Sequence, residues 1–236
     1  STLLYPRALR SGLLRDLDVY PVVALLGARQ VGKSTLGREI AETRRLPFRT
    51  LDDRDVLRQA LADPEGLIDE LGGAGFIDEA QRAPGLFLAI KRLVDREQRA
   101  GQFLLSGSNQ PHVARAVGDS LQGRAAYRTL RPLTLGELRF DERAGAWDLP
   151  FAEAAADVLD ALAQRAGSSG ALDWRDVVGT GGFPRAVAAP ADARRRLLDD
   201  YVRTFAERDV RELLAVGSPD RFEQCVRLVA SRTGQV

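Results

Sequence analysis

Short, continuously apolar runs alternate with longer stretches of helical spacing through the first half of the chain. Pro21–Leu26 has no polar position, which predicts a strand buried on both faces of a parallel sheet. A Gly-flanked loop, Gly27–Gly32, separates it from Lys33–Arg44, where Leu36 and Ile40 recur at helical spacing. Pro47–Leu51 predicts a second strand, and the Asp52-Asp53 pair after it reads as the cap of a helix running to Ala62. Pro64 opens another short helix. Gly72-Gly-Ala-Gly75 breaks the chain before Phe76-Ile77, which lead into Asp78-Glu79. Pro84–Arg99 sets Leu86, Ile90, Leu93 and Val94 on one side of a helix. Gln102–Leu105 and Ala125–Leu130 predict two further strands, the first of them followed by Ser106-Gly-Ser-Asn109. Strands alternating with helices predict an α/β fold, a parallel sheet with helices on both faces.

After Pro132 clear strands disappear. Leu133–Phe140, Phe151–Arg165, Trp174–Val178, Ala191–Glu207 and Pro219–Arg232 are all helical in spacing. The expected organisation is a sheet domain over 1–131 and a smaller helical domain over 132–236, with Gly167-Ser-Ser-Gly170 as a flexible joint. Gly181-Gly-Phe-Pro-Arg185 reads as a rigid turn or hinge, and Arg194-Arg-Arg196 as a solvated helix face.

Composition narrows the function classes. The 236 residues carry 34 Lys+Arg against 33 Asp+Glu, a formal net charge of +1, which excludes a wholesale polyanion binder. With 1 Cys and 1 His, neither an intrachain disulfide nor a Cys/His zinc site can form. His112, beside Pro111 in a polar stretch, is a poor fit to a nucleophilic triad, and Cys225 reads as a small core residue. No apolar run reaches the roughly 20 residues that cross a bilayer, and Ser1–Leu14 has no signal-peptide core, so the expected setting is the cytoplasm, without membrane contact. The chain has 0 Met and stops shortly after a helical segment, which suggests a piece of a longer protein. Arg supplies nearly all the basic residues. Lys33 and Lys91 are the only lysines, so each is informative.

Lys33 closes the most telling run. Gly27-Ala-Arg-Gln-Val-Gly32-Lys33-Ser34, followed by Thr35, fits G-x-x-x-x-G-K-[ST] without a mismatch, between a predicted strand and a predicted helix. The glycines let successive backbone N–H groups of Gly27, Ala28, Arg29, Gln30, Val31 and Gly32 curl around phosphate oxygens. The helix start adds its positive dipole end. Lys33 is placed to neutralise the β- and γ-phosphates of ATP, and the Ser34 hydroxyl to ligate Mg²⁺. A forked guanidinium at position 33 would not serve as such a point charge.

Phe76-Ile-Asp-Glu79 supplies the complement: Asp78 to hold Mg²⁺ through water and Glu79 to act as general base on the attacking water. Alone, an Asp-Glu pair equally suits a strand end running into a helix start; its place one unit after the phosphate loop favours chemistry. The glutamate directly after the aspartate favours a hydrolase over a kinase. Ser108 and Asn109 are candidates to sense the γ-phosphate, with a capped turn as the plain alternative. Arg124, after Gly123, is a candidate arginine finger in cis or in trans, though in so Arg-rich a chain a solvated cation is the commoner reading. Arg131, Arg185 and Arg208 are weaker candidates. No Asn-Lys-x-Asp base-reading motif is present, which tilts the nucleotide to ATP, and the segment around Tyr5–Leu9 is the candidate contact for adenine.

The ordered series GARQVGKST (27–35), FIDEAQ (76–81), LSGSN (105–109), LQGR (121–124), LRPLTLGE (130–137), GGFPR (181–185) and RDV (208–210) resembles the prokaryotic AAA-type ATPases that join an N-terminal ATPase domain to a C-terminal domain of unknown function. The resemblance covers nearly the whole chain. It implies a P-loop sheet of the ASCE type, with Lys33, Ser34, Asp78 and Glu79 in the roles above. Family proteins generally continue past a segment like Thr233-Gly-Gln235 into a nuclease-like region, through which DNA would be a partner. The expected activity is Mg-dependent ATP hydrolysis that moves the helical region. The rival is a slow-turnover, ATP-dependent switch controlling a partner or effector domain, with a homo-oligomer or another protein as its target. A small-molecule kinase is a third, weaker reading.

Overall fold

The computed structural model describes residues 5–108, 121–139, 174–205 and 219–232. Asn109, His112, Arg208, the predicted helix 151–165 and the joint 167–170 lie outside them. The chain divides into two compact units, Ser1–Asp173 and Trp174–Val236. No helix among the described residues is long and apolar enough to cross a membrane.

In the first unit, α1 (Leu9–Val19) leads into β1 (Val22–Gly27), α2 (Lys33–Arg44), β2 (Phe48–Thr50), α3 (Arg54–Ala62), α4 (Pro64–Glu70), β3 (Gly75–Asp78), α5 (Gly85–Glu97), β4 (Phe103–Ser108), β5 (Ala125–Leu130) and the single-turn α6 (Leu135–Leu138). The five strands form one parallel sheet in the order β2-β3-β4-β1-β5. Every residue of β1 is buried, as an apolar strand covered on both faces must be. Its side chains alternate between two cores: Val22 and Ala24 pack with α3, α4 and α5, whereas Val23 and Leu25 pack with α1 and α2.

Local chemistry sets the boundaries. The Asp53 side chain accepts from the N–H groups of Asp55 and Val56 and so caps α3. Asp63 caps α4, with Pro64 at the first position. β4 runs to Ser108, beyond the apolar stretch that announced it, because Ser106-Gly-Ser108 stays in register with Leu25–Gly27 of β1. A polar strand end like this carries no hydrophobic signal.

Phe76 of β3 is fully buried, and the α-carbon of Gly37 on α2 sits against its ring so closely that a Cβ there would overlap it. Helix α2 and strand β3, which carry the two halves of the candidate site, are therefore locked together by one aromatic ring. Phe76→Ala should cost about 3–5 kcal/mol, read as a lower urea midpoint with an unchanged slope. A cost below about 1 kcal/mol would show that this contact does not anchor β3.

The second unit contains α7 (Trp174–Thr180), α8 (Pro184–Ala188), α9 (Ala191–Thr204) and α10 (Pro219–Arg232). Gly181, at φ +66°, ends α7, and Pro184 starts α8, so the Gly-Gly-Phe-Pro run is a turn between helices. Phe183 and Tyr201 rings lie 4.5 Å apart, and Phe205 and Phe222 rings 6.4 Å apart, tying α9 to its neighbours.

Two expectations are corrected here. Arg194 is not solvated: its guanidinium donates to the Ala186 carbonyl at 3.0 Å, the Thr180 hydroxyl at 3.0 Å and the Ala189 carbonyl at 3.2 Å. Two of these acceptors are carbonyls at the C-terminal end of α8, and the third is the hydroxyl of the last residue of α7. Cys225 is exposed rather than core. The half-covered side of α10 carries Phe222 and Val226, and Cys225, one position before Val226, is turned away from it.

Candidate functional site

β1 ends at Gly27 and α2 begins at Lys33, so the loop between them opens at the carboxyl edge of the parallel sheet, where α/β folds hold ligands. The loop's curl needs unusual backbone. Gln30 has φ +59° and Gly32 φ +100°, left-handed conformations that glycine adopts without steric penalty. Gly27 faces a second demand, since a Cβ there would lie 2.5 Å from the Leu130 carbonyl at the end of β5. Lys33 is only 5% exposed. Its ammonium donates to the carbonyls of Gly27 at 3.0 Å and Ala28 at 2.9 Å, folding the side chain back over the loop. No acidic residue and no side-chain cap occupies the start of α2, so its N-terminal dipole end faces the loop without a competing anion. Ser34, half-buried, lies in that first turn and Thr35 next to it is exposed.

Asp78 ends β3 and is 4% exposed. Strand β4 lies between β1 and β3, which puts the loop and Asp78 two strand spacings apart, about 10 Å. The intervening strand supplies a residue that sequence reading missed: the Ser106 hydroxyl donates to Asp78 Oδ1 and accepts from the Glu79 N–H at 3.3 Å. Glu79 itself sits at φ +56°, a strained setting for a non-glycine residue, and its carboxylate Oε2 accepts a hydrogen bond from Gln81 Nε2. The other amide atom, Gln81 Oε1, is buried without a partner. Ser108 is buried at the end of β4, opposite Gly27 in register.

Ser34 and Asp78 offer one hydroxyl and one carboxylate. Among the described residues no group of three or more His, Cys, Asp or Glu is gathered for a metal. A donor set this small suits Mg²⁺, which keeps waters and takes substrate phosphate oxygens rather than a full protein cage.

Arg124 is not brought to this site. It precedes β5 at the sheet's other edge, where Ala125 pairs with Val22 and only Leu130 reaches Gly27. That separation is about 17 Å along the strand, beyond the side chain's reach. Its guanidinium instead grips Asp95 through two hydrogen bonds and holds that carboxyl below its ordinary value. A finger acting in cis from Arg124 is thereby ruled out. Arg131 does lie at the loop's edge of the sheet, directly after Leu130, and is exposed; Arg185 belongs to the second unit.

A second unforeseen cluster touches the loop from outside. Arg7, whose side chain is 8% exposed, pairs with Glu137, 5% exposed, at 3.1 Å, and donates to the Val31 carbonyl at 2.8 Å. One half of this cluster was legible: Thr134-Leu-Gly-Glu137 has capping-box spacing, and the box forms. Arg7 falls within Tyr5–Leu9, the candidate adenine contact, but nothing in the sequence marked it as a partner of Glu137 or of the loop.

Residues 19–139, just over half of the chain, match the family described as AAA domain. The chain belongs to the AAA domain family. The Gly27–Lys33 loop, the Asp78-Glu79 pair and the five-stranded sheet all fall within the matched region, while residues 171–236 match a domain of unknown function (DUF8612). Uncharacterized proteins of Mycobacterium bovis and Mycobacterium tuberculosis are each 34% identical to this AAA protein over 203 residues, 85% of the chain. The chain spans 38% of the length of these relatives. Among solved structures, AMPPCP-bound DnaA from Aquifex aeolicus is similar at 11% identity and a TM-score of 0.47, over 88% of this chain and 71% of that one. A Walker-type ATPase of Pyrococcus abyssi is similar at 16% identity and a TM-score of 0.45, over 89% and 75%.

Proposed function

We propose that this AAA domain binds ATP with Mg²⁺ and hydrolyses it to ADP and phosphate, using the release to drive a conformational change of the helical region. The observation that carries the reading is the Lys33 ammonium folded onto the Gly27 and Ala28 carbonyls in a sheet whose strand β3 ends at Asp78, followed directly by Glu79. In this reading the N–H groups of residues 27–35 and the Lys33 charge hold the β- and γ-phosphates. Ser34 and Asp78 would hold the cation, which would supply charge neutralisation for those phosphates. Glu79 accepts a proton as the water oxygen bonds to the γ-phosphorus and the bond to the ADP oxygen breaks. Ser106 keeps the Asp78 carboxylate in place. Asn109 remains the candidate sensor, and with Arg124 set aside an arginine finger would come from Arg131 in cis or from a neighbouring subunit or partner. ATP as substrate fits a cytoplasmic setting.

One observation favours the rival reading, a slow switch that governs a partner, DNA or an effector region of the longer relatives. The Glu79 carboxylate Oε2 is held by Gln81 Nε2, and in the switch reading a partner would have to rearrange this contact before Glu79 works at full rate. Phosphate release from Mg-ATP, measured beside nucleotide affinity, separates the two. Turnover at or above roughly 1 per second, the lower end for ordinary enzymes, supports the hydrolase; tight binding with slower turnover supports the switch; absence of binding overturns both.

A further inference from the structure

The buried Arg7 cluster has no part in the chemistry described so far, yet it reaches the phosphate loop itself. Five hydrogen bonds converge there, joining the N-terminal segment, the loop and the stretch from 131 to 137. The Arg7 guanidinium donates to Val31 O in the loop at 2.8 Å, to Arg131 O just past β5 at 2.5 Å and to Glu137 Oε1 on α6 at 3.1 Å. The same Glu137 oxygen accepts from the Ala8 N–H at 2.9 Å, and Oε2 accepts from the Thr134 N–H at 2.8 Å. Both carboxylate oxygens are thus engaged, and the charge they carry is matched by the guanidinium beside it. A buried ion pair seldom adds net stability over an apolar substitute. Its value lies in where it holds its partners.

The partner that matters is a peptide unit. Because the peptide bond is planar and trans, its C=O and N–H point in opposite directions. Val31 O is turned to Arg7, so the N–H of Gly32 is turned the other way. Gly32 is the last residue before Lys33, and its backbone lies in the left-handed region, where it has little to hold it in one orientation. We propose that Arg7, fixed by Glu137, is a positioning residue of the phosphate loop: it pins the Val31 carbonyl outward so that the Gly32 N–H stays aimed at bound phosphate. The inference rests on the reading of this loop as a nucleotide-phosphate site. Pre-aiming a donor removes part of the ordering cost of binding, so its loss should appear as affinity for phosphate groups.

Lysine tests the idea more cleanly than alanine. Arg7→Lys keeps the buried charge opposite Glu137, but one ammonium cannot span acceptors on three segments as the planar fork does. The full chain is assayed for binding of ATP and of inorganic tripolyphosphate, with circular dichroism and urea unfolding alongside. The expected result is a tenfold or greater rise in Kd for both probes in Arg7→Lys, at a temperature where the variant remains folded. Arg7→Ala should lose more. Glu137→Gln, which frees the guanidinium to move, should shift Kd in the same direction. A wild-type Kd in a folded Arg7→Lys overturns the inference, as does a loss of stability with no change in affinity. Should the wild-type chain bind neither probe, the phosphate-site reading falls, and this inference with it.

Discussion

Glu79→Gln is expected to bind ATP within about threefold of the wild-type Kd and to lose hydrolysis by a factor of about 100 to 10,000, the usual contribution of a positioned general base. The substitution is nearly isosteric, and glutamine keeps an oxygen that can accept the bond Gln81 Nε2 now gives to Glu79. The Glu79 N–H bond to Ser106 is a backbone bond and survives. What disappears is the capacity to take a proton. Single-turnover phosphate release isolates this step from product dissociation. Hydrolysis at the wild-type rate would remove Glu79 from the base role and turn attention to the residues around Asp78.

Lys33→Ala should abolish tight nucleotide binding. The ammonium is buried, so its attraction for phosphate acts with little water screening. Truncating one partner of such a buried, hydrogen-bonded charge pair costs about 2–5 kcal/mol, which is about 30-fold or more in Kd. The variant also leaves the Gly27 and Ala28 carbonyls without the ammonium that bridges them. Unfolding must therefore be followed with and without nucleotide. The wild type should gain stability with rising ATP, as any native-state ligand dictates, and the variant should gain none over the same range. A variant stabilised by ATP as strongly as the wild type would show that this loop does not hold the phosphates.

The two effects differ in kind, and together they distinguish the readings of the protein. A switch would show the Lys33 effect in full and little from Glu79, because there is little turnover to lose. A hydrolase shows both. Neither variant is expected to disturb the fold as Phe76→Ala does, since Phe76 holds α2 on β3.

Features written in neighbouring residues were legible before any fold was known. The Gly27–Ser34 loop is one contiguous run, and the phosphate binding proposed for it would use its own backbone, so that proposal could be framed without a fold. The α/β class followed from the alternation of apolar runs and helical spacing, and Asp53 announced its own helix because a cap acts two or three residues away. Partnerships across long stretches of chain came only with the fold. Ser106 reaches Asp78 from 28 positions away because β4 is inserted between β1 and β3. Arg7 reaches Glu137 from 130 positions away because β5 returns beside β1. Arg124 falls at the wrong edge because a parallel strand carries its first and last residues to opposite ends of the sheet. Strand order and register are settled by how the apolar faces of all the elements bury one another, and no local run of residues contains that information.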